Sequence, residues 1–186
     1  MTLNYEKHMK KRIFVAVGVS ENLRKEILKW REKRRAAFSG APVRWLAGKN
    51  LHITLVPPWR EDDVPKAAEA LGKLKGTGPF FMEFQRIVYG PTARSPRLIW
   101  AEGPASPQII RLKKAVEDAF GAKGEKRPFR LHLTVARFRP EDFSSFAVKK
   151  LDERADWKEK AESVLLMESR LSPAGADYEI LAEVKL

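Results

Sequence analysis

Apolar positions along this chain fall into short β-rich runs and into helically spaced stripes, and the two patterns alternate. The run Arg12-Ile13-Phe14-Val15-Ala16-Val17 predicts a buried strand. Ser20 then offers an N-cap oxygen with Glu21 in the first turn, so a helix is predicted from there to about Phe38. Leu23, Ile27 and Trp30 form its apolar stripe, Arg31 through Arg35 its basic face, and Gly40 and Pro42 stop it. A short extended piece at 43–45 leads into a strand that Pro57 and Pro58 are expected to end, because proline cannot extend a ladder. Asp62 and Asp63 open a second helix reaching about Leu74, with Ala67, Ala70 and Leu71 apolar. The two acidic residues complement the helix N-terminus better than they make a metal pair. Residues 80–88 read as a strand and 91–96 as a proline-bounded loop with Arg94 in it.

The order then repeats. Arg97-Leu98-Ile99-Trp100-Ala101-Glu102 echoes 12–17, and Ser106 opens a helix whose apolar side is Ile109, Ile110, Leu112, Val116 and Phe120. Gly121 and Gly124 close that helix, and 129–138 forms another strand. Strand, helix, strand thus occurs twice, which predicts an internal duplication. After Pro140 a short helix is expected, then strands at 162–171 and 178–184 around a turn at 172–176. The expected fold class is α+β: a bilobal, duplicated fold in which 10–186 form one two-lobed domain. Residues 1–9 are read as an N-terminal extension or a cloning remnant.

The repeated strands carry the candidate chemistry. Leu51-His52-Ile53-Thr54-Leu55 and Leu131-His132-Leu133-Thr134-Val135 share one frame. In a strand, side chains at i and i+2 point to one face, so each copy presents an imidazole and a hydroxyl together while its aliphatic residues face a core. With five Thr in the chain, finding two of three His in this relation is about a 0.3% coincidence. Two imidazoles titrating near neutrality, each beside a hydroxyl donor, suit acid–base chemistry at a phosphate. Packing of two lobes about a pseudo-twofold axis brings the two strands to a shared groove.

Charge names the partner class. The chain holds 36 Lys and Arg against 24 Asp and Glu, a net charge of +12, which favours a polyanion. Nucleic acid leads, ahead of an anionic membrane surface. The absence of Cys excludes disulfides and a thiolate nucleophile, and no apolar run approaches a membrane span.

Together these residues resemble the two-histidine phosphoesterase superfamily, and within it the RNA 2′,3′-cyclic phosphodiesterases, also called 2′-5′ RNA ligases. The likeness includes Arg44-Trp45, the stretch from Asn50 to Leu55, Phe129 through Arg137, and Glu168-Ser169-Arg170-Leu171-Ser172-Pro173-Ala174-Gly175-Ala176 with Tyr178. It implies two mostly antiparallel sheets flanked by helices around a central cleft. It also implies hydrolysis of RNA 2′,3′-cyclic phosphate ends to 2′-phosphate without metal or cofactor, and in some members the joining or cutting of 2′-5′ linkages in tRNA halves. Carried over by position, His132 is the general base and His52 the general acid, roles that exchange when the reaction reverses. Thr54, Thr134 and Arg137 contact phosphate, and Arg137 reaches it only if its strand ends or bulges, since strict alternation puts it opposite His132. Arg44, Trp45, Arg60, Phe129 and Arg130 are expected to line the RNA groove, with Trp59 and Arg94 as further candidates. RNA ends, tRNA halves among them, are the expected partner, and the protein is expected to be a cytoplasmic monomer with no membrane association.

Two departures stand out. Val56-Pro57-Pro58-Trp59-Arg60 follows the first motif where many members have Phe-Leu-Gly, and Leu131 precedes the second His where many have Pro. The competing reading is an RNA-binding module that uses the same basic groove without turnover. A small cyclic nucleotide phosphate is the alternative substrate, and a metallophosphoesterase is disfavoured because no carboxylate cluster accompanies the two His.

Overall fold

The computed structural model describes residues 10–74, 78–92, 94–124, 127–173 and 175–186. The expectation for 1–9 lies outside them. In chain order the elements are β1 (Lys11–Gly18), α1 (Glu21–Arg34), β2 (Arg44–Trp45), β3 (His52–Glu61), α2 (Val64–Gly72) and β4 (Phe80–Gly90). They continue with β5 (Leu98–Gly103), α3 (Pro107–Ala119), β6 (Leu131–Arg137), β7 (Asp152–Ala161), β8 (Ser163–Ser172) and β9 (Gly175–Lys185). One sheet has the order β3-β1-β8-β9 and the other β2-β6-β5-β4-β7. Their neighbours all pair antiparallel. This is the α+β, two-sheet arrangement that the duplication predicts.

The duplication is physical. β1-α1-β3 and β5-α3-β6 repeat one path, with the His strand lying beside the strand that opens its unit. Each helix starts with the same cap: the Ser20 hydroxyl accepts from the Leu23 N–H and the Ser106 hydroxyl from the Ile109 N–H. Each helix also reaches over to the other sheet. Trp30 of α1 packs edge-on against Trp157 of β7 and donates its indole N–H to Glu153. In return α3 packs on β3. The exchange yields one continuous core fed by both sheets, from Ile13, Val15 and Val17 to Ile99, Leu133 and Val135. A fully buried aliphatic side chain contributes about 1.5–3 kcal/mol, so this shared core holds the lobes in fixed relation.

β1 reads as an unbroken apolar run because both its faces are covered. Ile13, Val15 and Val17 enter the main core, while Phe14 and Ala16 pack with Leu165 and Met167 on the opposite face.

The structure differs from the sequence reading in five places, the first being that α1 ends at Arg34 and a separate 3-10 turn, Ala36–Phe38, takes the place of its expected last turn. Pro57 and Pro58 do not end β3, which runs on to Glu61. β3 is an edge strand, and the prolines sit where its pairing with β1 is irregular, so no ladder bond is lost. β7 is a strand that the sequence pattern does not announce. Its inward positions Ala155, Trp157, Glu159 and Ala161 alternate faithfully, but charged residues between them, and Glu159 among them, hide the period. Glu159 is buried because it accepts from both the N–H and the hydroxyl of Ser20. In α3, Ile110 is exposed and Lys113 takes its place on the buried stripe. Last, the short helix after Pro140 is a 3-10 segment, Pro140–Ser145.

Candidate active site

β3 and β6 come against each other where the two sheets meet. His52 and Thr54 share the face of β3 that Ala16 and Gly18 occupy on β1, and His132 and Thr134 share the face of Trp100 and Glu102 on β5. Both imidazoles are held the same way. His52 Nδ1 lies 2.7 Å from the Asn50 carbonyl and His132 Nδ1 lies 2.9 Å from the Arg130 carbonyl. A carbonyl can only accept, so each Nδ1 carries hydrogen and the lone pair of the neutral ring is on Nε2.

Aromatic rings support each imidazole. Phe14 and Tyr178 pack on His52 at 4.9 and 5.1 Å between centroids, and Trp100 packs on His132 at 4.5 Å. Trp100 can lie there only because Gly90 has no side chain: a Cβ at that position would stand 2.5 Å from the indole. Asn50 adds a brace. Its amide donates to the Ala176 carbonyl at 2.9 Å and accepts from the Tyr178 N–H at 3.3 Å, tying the β8–β9 hairpin to the His52 strand.

The two His strands also share a bulge. On β6, Thr134 pairs with Trp100 but Ala136 with Ile99, leaving Val135 as the extra residue; on β3, Thr54 pairs with Ala16 but Val56 with Val15, leaving Leu55. An extra residue reverses the alternation beyond it. Arg137 thus returns to the face of Thr134 and His132, as its pairing with Leu98 requires. The matching position on β3 is Pro57, which lines the cleft, while on β6 the same position puts Arg137 on the face of His132. Each bulge carbonyl finds a donor outside the ladder: the Leu46 N–H for Val135, and the Lys113 ammonium at 2.9 Å for Leu55.

His52 is buried, and burial lowers its pKa from 6.5 to about 4. Its bond to Asn50 opposes that shift, while the charges of Arg137 and His132 add to it. Both groups are thus close enough for their charge to be felt at the ring. The cleft has a volume of about 440 Å³ and takes Thr54, Pro57, Trp100, Phe129, Arg130 and His132 into its lining.

The remaining expected groove residues divide. Arg130 is held beside the cleft: it donates to Glu102 at 2.7 Å and to the Pro91 carbonyl, and lies 4.9 Å over Trp100. Phe129 lines the cleft and lies under Lys113 at 5.4 Å. Arg44 is exposed and pairs with Arg137 across β2 and β6, with its side chain near Gly175. Arg60, at the far end of β3, donates to the Lys10 carbonyl. Trp45 is on the opposite face from Arg44 and Arg137, packed edge-on against Trp30 and Phe38, so its ring belongs to the core. Trp59 likewise packs against Phe120 near α2, away from the cleft. Arg94 is exposed in its loop. Asp63 caps α2, accepting from the Lys66 N–H, and Asp62 pairs with Lys10. Among the described residues no three His, Cys, Asp or Glu converge as a metal site.

Trp100, Phe14, Gly90 and Lys113 were not legible as site residues. Only Lys113 left a signal, as a cation at the apolar spacing of Ile109, Leu112 and Val116.

Fold and site together define a duplicated phosphoesterase with one histidine motif on each lobe. The model of the 2′-5′ RNA ligase superfamily matches residues 19–172, and the chain belongs to that family. It is 29% identical over 181 residues to the RNA 2′,3′-cyclic phosphodiesterase of Methanocaldococcus jannaschii, covering 92% of this chain and 99% of that protein. It is 28% identical over 175 residues to the protein of the same name from Archaeoglobus fulgidus, covering 91% and 97%. Among solved structures, the TT0787 protein of Thermus thermophilus matches with a TM-score of 0.75 at 24% identity, covering 94% of this chain and 97% of that one. LigT of E. coli in complex with 3′-AMP matches with a TM-score of 0.74 at 24% identity, covering 95% and 98%. These last two share the fold.

Proposed function

We propose that this protein hydrolyses RNA 2′,3′-cyclic phosphate ends to 2′-phosphates, with a His/His acid–base pair and no metal. The observation that carries the reading is the repeated placement of His and Thr on two abutting strands, each ring held through Nδ1 by the carbonyl two residues back. Relatives named for this activity support the choice of substrate.

In the proposed reaction, water attacks phosphorus, the bond from phosphorus to O3′ breaks, and a 2′-phosphate remains. His132 Nε2 takes the proton of the attacking water, and His52 Nε2 gives a proton to departing O3′. Each such group contributes about 10²–10⁴-fold. Thr54, Thr134 and Arg137 hold the non-bridging oxygens, where negative charge gathers. Phe129, Arg130 and Arg44 engage the RNA beyond the ring.

With its pKa near 4, His52 is neutral in the resting site at neutral pH. Its role as acid therefore requires that it gain a proton with substrate. A bound phosphate supplies the cause: its negative charge favours the imidazolium, and pairing with Arg137 removes a charge that opposed it. With the 5′-hydroxyl of another RNA end in place of water, the same pair acting in the same direction joins a 2′,3′-cyclic end through a 2′-5′ linkage, and run backward it cuts that linkage. The reading extends to tRNA halves as substrates and to the cytoplasm as the place of action, and to a monomer, because one chain carries both motifs.

The test is an RNA oligonucleotide ending in a 2′,3′-cyclic phosphate, incubated with the protein and a chelator. A 2′-phosphate product is expected. Binding of the RNA with the ring left closed would instead make this groove a non-catalytic RNA-binding site.

A further inference from the structure

The cleft does not end at His132. Its lining shares Pro91, Thr92 and Arg130 with a second hollow of about 360 Å³, which continues across the same face of the sheet to β7. The register puts both on one surface: Glu102 pairs with Arg86, Trp100 with Val88, and Val88 with Asp152. The hollow holds Arg86, Arg130, Lys149, Lys150, Glu102 and Asp152. Both acidic residues are already neutralised, Glu102 by Arg130 at 2.7 Å and Asp152 by Arg86 at 2.8 Å. Lys149 and Lys150 have no carboxylate partner among these groups, so the hollow carries an excess of positive charge. Lys149 is held in place by the carbonyls of Phe143 and Ser144, and sits 5.7 Å over the ring of half-buried Phe143, which also lines the hollow.

We infer that this second hollow is a binding subsite for the RNA strand upstream of the cyclic end, taking a phosphodiester on Lys149 and Lys150, with Phe143 as the fixed support under Lys149. The inference rests on the hydrolase reading above. Three steps across the sheet, at about 4.8 Å each, put β7 roughly 14 Å from β6. That is too far for any atom of the cyclic phosphate bound at His132. Cationic groups along a groove track the backbone of a single strand and hold it without reading its sequence. Arg130, tied to both Glu102 and the Pro91 carbonyl, forms the ridge between the two compartments. The protein therefore distinguishes an RNA end from a free cyclic mononucleotide by what it holds behind the ring.

The experiment compares kcat/KM for adenosine 2′,3′-cyclic phosphate and for a ten-nucleotide RNA with the same end, in wild type and in the Lys149→Ala, Lys150→Ala double variant. The variant is expected to lose roughly tenfold on the RNA, and the slope of log kcat/KM against log salt to flatten by about 0.7, for the counterion released from one single-strand phosphate. Its turnover of the mononucleotide is expected to stay at the wild-type value, which also shows that the variant is folded. Equal loss on both substrates, or no loss and an unchanged salt slope on the RNA, overturns the subsite while leaving hydrolysis in place. If wild type opens neither ring, the hydrolase reading falls and the subsite falls with it.

Discussion

Lys113 donates its ammonium to the carbonyl of Leu55, the bulge residue that follows Thr54. The bond crosses from α3 of one repeat to the His strand of the other, and the same ammonium pairs with Glu117 at 2.7 Å. It completes the bulge before Pro57 of the cleft, as the Leu46 N–H completes the bulge that turns Arg137 to the face of His132.

Lys113→Met is therefore expected to lower both stability and turnover. An orphaned buried carbonyl costs about 1–3 kcal/mol, and Glu117 is left in a half-buried setting without its cation. Adding Glu117→Gln removes the orphan charge and is expected to restore only the Glu117 share of the thermal midpoint, the cost of the unpaired Leu55 carbonyl remaining, while kcat stays low. Recovery of kcat together with stability would mean that the bond to Leu55 has no part in positioning Thr54.

Arg137 offers two independent readouts. Arg137→Met is expected to lower kcat/KM by about 10²–10³-fold, the effect of removing a donor aimed at developing charge. It is also expected to raise the pKa of His52, because the guanidinium charge contributes to holding it down. Ring-proton NMR titration of the variant reads this shift, and an unmoved His52 would separate the two residues.

Much of this arrangement was legible in the sequence, for a physical reason. Strands β1, β3, β5 and β6 announce themselves because aliphatic residues fill their core faces, and the repeated His and Thr mark the opposite face. What escaped was set by tertiary context. β7 hides its alternation under charge because Glu159 is buried against Ser20. The prolines of β3 are tolerated because an edge strand has no neighbour on one side. The bulge at Val135 leaves no local signature, since a strand carrying one extra residue has the same composition as a regular strand. Trp100 has the sequence context of a core residue, and only the room left by Gly90 puts it beneath His132.

Gly90→Ala is expected to push the indole away from the sheet, since the new methyl would fall within 2.7 Å of several of its ring atoms. Overpacking of this kind costs about 1–3 kcal/mol. Because Trp100 carries the His132 ring, kcat should drop with it; a destabilised variant of unchanged kcat would show that the ring is held by the Arg130 carbonyl alone.

Stability should depend on pH through His52. Its folded pKa lies near 4 and its unfolded value near 6.5, so the unfolded chain binds the proton more readily. The stabilising contribution is complete above pH 6.5 and is lost as pH falls toward 4, on the order of 3 kcal/mol in all. Denaturant midpoints between about pH 7.5 and about pH 3.5, which bracket that window, are expected to fall more in wild type than in His52→Gln. Parallel curves would assign the loss to other groups.

The most direct measurement is single-turnover opening of a 2′,3′-cyclic RNA end by wild type, His52→Ala, His132→Ala and the double variant, with chelator present. Two imidazoles acting as one unit predict that each single variant loses about 10³-fold or more and that the double loses little beyond that. A single variant retaining near wild-type rates, or losses that multiply in the double, would contradict the paired mechanism.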